Sequence, residues 1–403
     1  MLSTPRVVHV VPALFGPTGI VGGAERYAFE LARAMADAVP TTLVTFGDAA
    51  REETVGRLRV RVLGPAWHVR GQSTNPLARG IANALLAGDV IHCHQQHIVV
   101  SSLAAVLGRL TGRRVFVTDL GGGGWDVSAY IRTDRWYTGH LHISAYSLAV
   151  AGHAARRWAR VILGGVDTAR FAPDAAVPRG NAALFVGRLL PHKGVDDLIR
   201  AASDDLEVTI VGPAPDARFL RDLHALAEGK AIRFHHDFDD GALVEAYRRA
   251  ACVVLPSVYR NCYGGETLVP ELLGQTLLEG MACGAPAIAT RVASLPEVVD
   301  HGRTGFLVPP NDPPALREQL LWIRDHPQEA AAMGEAARAR VLERFTWDRV
   351  VECCLDAYGG ATRWPAPAPS DAAPGPDLAP ARAAPTVNQA HSSRSTMPCA
   401  SPS

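Results

Sequence analysis

Two glutamates and a glycine between Pro270 and Pro286 have a spacing that suits a sugar and a nucleotide. Glu271 and Glu279 are separated by seven residues, with Gly274 between them. A helix that begins near Gly274 places Glu271 in the loop before it and Glu279 about two turns into it. A carboxylate accepts two hydroxyl hydrogens at once, so Glu279 suits the vicinal diol of a ribose. Glu271 can reach a second polyol or a developing positive charge.

The first turn of this predicted helix adds backbone donors at the same place. The amides around Gly274, Gln275 and Thr276 point toward the mouth of the loop, and free amides at a helix N-terminus attract phosphate or sugar oxygens. We interpret the segment as a cradle for a nucleotide sugar. The alternative is a solvated helix face, because glutamates at this spacing are common on amphipathic helices.

The phrase TLLEGMACGAPAIAT, with the glutamate spacing and the glycine, resembles the signature of the retaining glycosyltransferases of family 4, the glycosyl transferases group 1. The resemblance implies the GT-B fold, in which two doubly wound Rossmann-like domains face each other across a cleft and a C-terminal helix crosses back. It also implies transfer of a sugar from a nucleoside diphosphate donor with retention of anomeric configuration. Glu271 would then hold the transferred sugar and Glu279 the ribose.

A glycine pair follows the first predicted strand and opens a helix. Gly22 and Gly23 lack side chains, so their backbone amides can approach a ligand closely. The family has a similar GGAER phrase near the donor diphosphate, and the resemblance implies that both glycines bind the donor. Glu25 and Arg26 of this phrase have an alternative reading as a charge pair at the helix start.

Two cations follow the first predicted strand of the second half. Arg188 and Lys193 lie in GRLLPHKG, where they can converge on a diphosphate and stabilise its growing charge as it departs. An exposed basic loop is the alternative, but the match to the family's G-R-L-x-x-x-K-G pattern favours the catalytic reading. Because no carboxylate is clearly placed as a nucleophile, we favour front-face transfer, in which the leaving diphosphate takes the acceptor's proton.

No metal site and no cofactor are predicted. The acidic residues of HHDFDDG are typical of a solvated turn. The histidines of HCHQQH alternate along a strand and could ligate a metal, but a strand end that faces the cleft explains them as well. We expect His94 to contact the sugar or the acceptor.

The chain departs from the family after the strand that ends near Thr118. Many members have a histidine there that contacts the donor sugar, whereas this chain has Asp119. Asp119 is predicted to accept a hydrogen bond from a sugar hydroxyl or to act as a base on the acceptor. The run from Gly121 to Gly124 is either a pliable lid that carries Trp125 as an aromatic platform or a flexible connection. Glu297 is predicted to be structural.

Composition limits the classes of protein. The chain has 403 residues, 48% of them apolar, with 40 cationic and 40 acidic side chains, which suits two cores and excludes the basic bias of nucleic-acid binding. Seven cysteines form no CxxC pair, as expected for reduced thiols in the cytoplasm. No signal peptide or membrane span is recognised. A lipid-linked acceptor would bring the protein to the inner face of the membrane as a peripheral protein.

Short β-branched runs alternate with helical patterns twice along the chain, which predicts two parallel sheets with crossover helices. We expect an N-terminal acceptor-side domain over residues 1–170 and a nucleotide-sugar-binding domain over residues 171–345. Residues 346–361 are predicted to form the crossover helix. Residues 362–403 form a Pro/Ala/Ser-rich tail that is expected to be disordered.

The sequence therefore predicts a metal-independent glycosyltransferase whose acceptor is a glycan, a lipid-linked sugar or a small molecule, in polysaccharide or glycoconjugate biosynthesis. One alternative is a nucleotide-sugar epimerase or hydrolase of the same fold, which would need acid and base carboxylates in the first domain. The other is a non-catalytic sugar-nucleotide-binding protein. The combination of Glu271, Glu279, Arg188 and Lys193 favours the transferase.

Overall fold

The computed structural model describes residues 4–14, 22–121, 123–203 and 206–359. Its first half is built on an eight-stranded sheet in the order β10-β9-β8-β7-β1-β2-β4-β3, parallel except for the pair β3–β4, beside a small hairpin of β5 and β6. The strands are Val7–Leu14 (β1), Thr41–Phe46 (β2), Arg51–Val55 (β3), Leu58–Leu63 (β4), Trp67–His68 (β5), Pro76–Leu77 (β6), Val90–Cys93 (β7), Arg114–Val117 (β8), Gly139–His142 (β9) and Ala159–Val161 (β10).

The second half contains a six-stranded parallel sheet in the order β13-β12-β11-β14-β15-β16. Parallel sheets have helices on both faces, so their strands are apolar throughout. Strand CVVL, for example, is buried at every position. The strands are Ala183–Val186 (β11), Val208–Val211 (β12), Ile232–His235 (β13), Cys252–Leu255 (β14), Ala287–Thr290 (β15) and Gly305–Val308 (β16).

Helices connect most of the strands and cover the sheets. In the first half they are Gly23–Ala38 (α1), Ile81–Leu85 (α2), Val99–Thr111 (α3) and Ala145–Val150 (α4). In the second half and beyond it they are Val195–Ala201 (α5), Ala217–Ala227 (α6), Asp240–Arg249 (α7), Gln275–Ala282 (α8), Leu295–Val298 (α9), Pro313–Asp325 (α10), Pro327–Arg344 (α11) and Trp347–Gly359 (α12).

The chain passes between the two halves twice, and the two passages pair with each other. The amide of Val166 donates to the carbonyl of Phe345 over 2.9 Å, next to a parallel bridge with Thr346. The turn before Val166 needs glycine, because a Cβ on Gly164 would lie 2.1 Å from Cδ2 of Leu273. One on Gly165 would lie 2.5 Å from the ring of Trp347. Close packing thus fixes this junction.

Helix α12 returns to the first half and packs on α1. The rings of Tyr27 and Trp347 meet edge to face at 5.2 Å. Near the end of the helix, the hydroxyl of Tyr358 lies 2.7 Å from Nδ1 of His92 on β7, and both residues are buried. This bond joins the last described helix to the middle of the first sheet.

The predicted fold class is confirmed, since two parallel α/β units and a returning C-terminal helix are present. The domain limits at residues 170 and 345 stay a prediction. Residues 360–361 of the predicted crossover helix and the tail 362–403 lie outside the described residues. One expectation was wrong: the arginine-rich stretch at residues 154–160 was read as a helix, and it consists of turns that lead into β10.

Membrane and redox expectations were examined over the described residues. Within these ranges, none of the helices combines the length and the apolar character needed to cross a bilayer. The described cysteines are all free; they are Cys93, Cys252, Cys262, Cys283, Cys353 and Cys354.

We predict that Tyr358→Phe destabilises the fold. The substitution leaves the ring in place but removes the partner of a buried imidazole nitrogen, which should cost about 1–3 kcal/mol of unfolding free energy. Urea unfolding of the variant and of the wild type measures this loss. Tyr130→Phe is the matched control, since Tyr130 is 75% exposed. Equal losses in both variants would contradict the role of the buried bond.

Candidate active site

A cleft of about 1310 Å³ separates the two halves, and loops at the carboxyl ends of strands from both sheets line it. Open α/β sheets bind ligands at this edge. The second half contributes the loop after β11 and the segment that leads into α8. Its lining residues are Arg188, His192, Lys193, Val269, Pro270, Glu271, Leu272, Leu273, Gly274 and Gln275.

Lys193 and Glu271 form an ion pair in the floor of this cleft. The ammonium of Lys193 donates to Oε1 of Glu271 over 2.5 Å, and the hydroxyl of Ser257 donates to the same oxygen over 2.7 Å. The two charged side chains are only 17% and 9% exposed. Arg188 lines the same cleft and is exposed. The structure thus brings together three of the predicted catalytic residues.

Helix α8 begins where its sequence predicts. Gly274 precedes it with φ of 88°, a left-handed conformation that favours glycine, and no side chain caps the helix. Gly274 and Gln275 line the cleft, whereas Thr276 is not among its lining residues. The amide group of Gln275 donates to the carbonyl of Gly165 over 3.0 Å, and its buried oxygen has no partner among the described residues.

Glu279 is buried beside the cleft and not in it. Its carboxylate accepts a 2.8 Å hydrogen bond from the hydroxyl of Tyr247 and faces a small cavity of about 20 Å³. Burial raises the pKa of this carboxyl group, while Tyr247 and the nearby charge of Arg26 lower it. Tyr27 and Gln275 line both spaces, so the small cavity adjoins the cleft. The ribose role of Glu279 stays a prediction.

Ion pairs cross from the first half to the second near this small cavity. Asp240 at the start of α7 binds Arg26 of α1 over 2.7 Å and Arg170 of the linker over 2.8 Å. Of the predicted glycine pair just before Arg26, Gly23 lines the cleft, whereas Gly22 is exposed and is not among the lining residues. Asp239 accepts from the amide of Ala242 and caps α7. The acidic turn that could have suggested a metal therefore has a structural use.

A second contact between the halves ends on the backbone. The carboxylate of Glu297 accepts hydrogen bonds of 2.7 Å from the amides of Ala145 and Tyr146, at the N-terminus of α4. The hydroxyl of Tyr146 donates to the carbonyl of Leu268 over 2.8 Å. Glu297 makes structural contacts, as its prediction stated, and they hold the two walls of the cleft together.

The first half supplies the opposite wall, and it includes Asp119. Oδ1 of Asp119 lies 3.4 Å from the amides of Gln96 and Gly121, so these are long contacts. The predicted platform Trp125 does not line the cleft. Its ring packs against the guanidinium of Arg70 at 4.7 Å and the ring of Tyr130 at 6.2 Å, so this expectation is corrected.

His94 is also placed differently from its prediction. It is 2% exposed and lies below the cleft in a cluster with His9 and His92. Nδ1 of His9 lies 2.8 Å from Nε2 of His94, while His92 contacts Thr118 and Tyr358 through its two nitrogens. Contact with a sugar is therefore not made here, because strand residues of a buried sheet pack under its covering layers.

The histidine cluster bears on metal binding and on proton uptake. Its ligand atoms lie within 4.8 Å of one another, and Nε2 of His9 and Nδ1 of His94 have no partner among the described residues. Burial lowers the pKa of His9 to about 3. Burial and the neighbouring imidazoles lower the pKa of His92 and His94 well below the ordinary value. All three rings are therefore neutral in the folded protein at pH 7.

Several residues of the cleft were missed by the sequence analysis. They come from the stretch between Asp119 and β10, where the strands are short and carry histidines in place of the usual apolar run. The signal that could have found them is a cluster of arginines and aromatic residues without helical or strand periodicity. The missed lining residues with polar or aromatic side chains include Gln96, His97, Ser128, Arg132, Asp134, Arg135, His142, His153, Arg156 and Trp158.

Comparison with known proteins agrees with this geometry. Residues 169–340 match the family model of glycosyl transferases group 1, a range that includes Arg188, Lys193, Glu271 and Glu279. The chain belongs to this family. Among curated relatives, the D-rhamnosyltransferase WbpZ of Pseudomonas aeruginosa is 34% identical over 168 residues, which are 40% of this chain and 41% of the relative.

Two further relatives extend the match. The D-inositol 3-phosphate glycosyltransferase of Acidothermus cellulolyticus is 34% identical over 227 residues, 50% of this chain and 48% of the relative. The alpha-maltose-1-phosphate synthase of Mycobacterium tuberculosis is 28% identical over 322 residues, 69% of this chain and 80% of the relative. This group 1 chain thus spans less than half the length of the first two relatives.

Solved structures show the same GT-B fold over most of the chain. HepE of Anabaena, in complex with UDP and glucose, has a TM-score of 0.65 and 17% identity, with 88% of this chain and 100% of that chain covered. The catalytic domain of starch synthase IV from Arabidopsis thaliana, bound to ADP and acarbose, has a TM-score of 0.65 and 17% identity, with 89% and 100% covered. At these identities the likeness shows the fold alone.

We predict that acid destabilises this group 1 protein through its buried histidines. Below an ordinary pKa of 6.5 the unfolded chain binds protons that the folded chain refuses, so stability falls with pH from about 6.5 toward about 3 for His9. At pH 5 the loss from His9 alone should be about 2 kcal/mol. Urea unfolding between pH 7 and pH 5 measures it.

His9→Gln should flatten this pH dependence, because the amide does not titrate. His326→Gln, at an exposed histidine, should keep the full wild-type dependence. The assignment is wrong if the two variants lose stability equally between these pH values.

Proposed function

We propose that this protein is a glycosyltransferase that moves a sugar from a nucleoside diphosphate donor to an acceptor held in the cleft. The observation that carries the proposal is the meeting of Arg188, Lys193 and Glu271 with the uncapped N-terminus of α8 in one cleft. Cations and free helix amides bind the diphosphate, and a carboxylate binds sugar hydroxyls. The named relatives and the family model support the same activity.

The cations act mainly on the leaving group. As the bond between the anomeric carbon and the diphosphate oxygen breaks, negative charge grows on the diphosphate, and Arg188 and Lys193 stabilise it. This step needs no metal in our proposal. Since the pair between Lys193 and Glu271 is largely buried, an incoming diphosphate strengthens an existing polar site. Lys193 has two further N–H groups to offer while one stays on Glu271.

Retention of configuration is part of the proposal. The acceptor oxygen attacks the anomeric carbon on the face from which the diphosphate leaves, and a diphosphate oxygen takes the acceptor's proton. Glu271, held in place by Lys193 and Ser257, orients the transferred sugar through its second oxygen. A front-face route needs no enzyme nucleophile, and its protons and electrons balance between acceptor and leaving group.

Donor identity is proposed at the level of the class. HepE is in complex with UDP and glucose, and starch synthase IV is bound to ADP and acarbose. Both are nucleoside diphosphates with sugars, so we propose the same class for this chain. Glu279 would reach the ribose if the small cavity beside the cleft enlarges, and the partner residues Arg26 and Asp240 would then separate.

We predict that one member of a panel of UDP, GDP and ADP sugars raises the melting temperature and is slowly hydrolysed without acceptor. Lys193→Ala and Arg188→Ala should each weaken donor binding by about tenfold or more, because each removes a charge-assisted contact to the diphosphate. Turnover should fall by about 10²–10³. Thermal shift and donor hydrolysis measure these effects.

Arg221→Ala is the matched control, since this arginine is exposed on α6 and does not line the cleft. It should behave as the wild type. Binding without hydrolysis or transfer would indicate a sugar-nucleotide-binding protein. The absence of a response to every nucleotide sugar would reject the proposal.

A second prediction concerns Asp119. Asp119→Asn keeps the size of the side chain but removes its charge, so it should slow transfer while donor affinity stays within about twofold. The measurement is a comparison of kcat with the donor Kd. Asp126→Asn is a poor control because Asp126 is buried, whereas Asp48→Asn changes an exposed carboxylate that does not line the cleft. A loss of donor affinity in Asp119→Asn would place Asp119 on the donor instead.

A further inference from the structure

Three arginines lie on the first-half wall of the cleft, opposite the proposed donor cations. Arg132 and Arg135 come from the segment between β8 and β9, and Arg156 comes from the turn before β10. All three are exposed to the cleft, and none forms an ion pair with a described residue. By contrast, Arg26 and Arg170 nearby both bind Asp240. The guanidinium groups of this wall are free to bind an anion.

The acidic residues of the same wall do not neutralise these arginines. Asp134 accepts from the amide of Gln96 over 3.0 Å and lies 3.9 Å from Nε2 of His153. Asp119 faces backbone amides. Arg156 lies close enough to His153 for its charge to lower the pKa of that imidazole, after the larger effect of burial. The positive charge of the wall is therefore uncompensated in the absence of a ligand.

An aromatic surface adjoins the arginines. Trp158 lines the cleft, and its ring packs against His153 at 4.6 Å and His140 at 4.9 Å. Such a ring offers a flat face to a sugar or polyol, while arginine is suited to the oxygens of a phosphate. The wall thus combines the contacts that a phosphorylated sugar or polyol requires.

We propose that the acceptor carries a phosphate group, which Arg132, Arg135 and Arg156 bind on the first-half wall of the cleft. This inference rests on the proposed transferase function and names the class of its second substrate. The phosphate stays on the acceptor throughout, and the acceptor's hydroxyl is the group that reacts. The same chemistry is present in a free polyol phosphate and in a phospholipid headgroup, so the test separates these two sources.

The test measures binding to the full chain by calorimetry, with myo-inositol, myo-inositol 1-phosphate, inorganic phosphate and phosphatidylcholine vesicles with or without phosphatidylinositol. We expect the phosphate monoester to bind more tightly than neutral myo-inositol by about tenfold or more. Arg156→Gln and Arg132→Gln should each weaken this binding by a similar factor. Arg157→Gln is the matched control, because Arg157 neighbours Arg156 and does not line the cleft.

The outcomes separate the two proposals. Selective binding of phosphatidylinositol vesicles would assign the lipid source, and binding of the free monoester would assign the small-molecule source; both would support the inference. Equal binding of neutral and phosphorylated ligands, no phosphate binding at all, or indifference to Arg156→Gln would overturn it. Donor hydrolysis by the wild type and Arg157→Gln is measured in parallel. Continued hydrolysis without phosphate binding would leave the transferase standing, whereas the absence of donor binding and hydrolysis would reject both.

Discussion

The geometry of the cleft depends on the junction where the chain crosses between the halves. Parallel strands deliver their following loops to one edge of a sheet, but two sheets form a site only if these edges face each other. The pairing of Val166 with Phe345 and Thr346 fixes the two crossings side by side. Leu273 and Trp347 fill the space around the linker glycines, so a side chain there would displace the wall that carries Glu271.

Charge in the ligand-free cleft is arranged in two different ways. On the second-half wall, Lys193 is already paired with Glu271 and nearly buried, so its position is held before any donor arrives. On the first-half wall, Arg132, Arg135 and Arg156 are exposed and unpaired among the described residues. A preorganised cation stabilises a transition-state charge without reorganisation, whereas mobile cations adapt to a bound anion.

Sequence reasoning reached the elements whose patterns are local. Strand β2 has the bounds that its β-branched run predicts, and α8 begins directly after Gly274, because both signals lie within a few residues. Arg188, Lys193, Glu271 and Asp119 line one cleft, since each follows a strand that ends at the same edge. The roles of these residues stay predictions.

What the sequence did not predict depends on distance or on burial. Lys193 and Glu271 lie 78 positions apart, and only the folded second sheet brings them together. The burial of His94 and the packing of Trp125 on Arg70 depend on neighbours that periodicity does not reveal. Strands β9 and β10 are three or four residues long and carry polar side chains, so the wall that holds the unpaired arginines had no readable pattern.

The contact made by Glu297 has a consequence for how such a protein can diverge. Its carboxylate binds the main-chain amides of Ala145 and Tyr146, and any residue except proline supplies such an amide. The first half can therefore change its side chains at this interface while the two halves remain docked. This freedom agrees with a family match confined to residues 169–340 beside a structural likeness that covers 88% of the chain. A fixed donor half can in this way be combined with acceptor halves of widely different sequence.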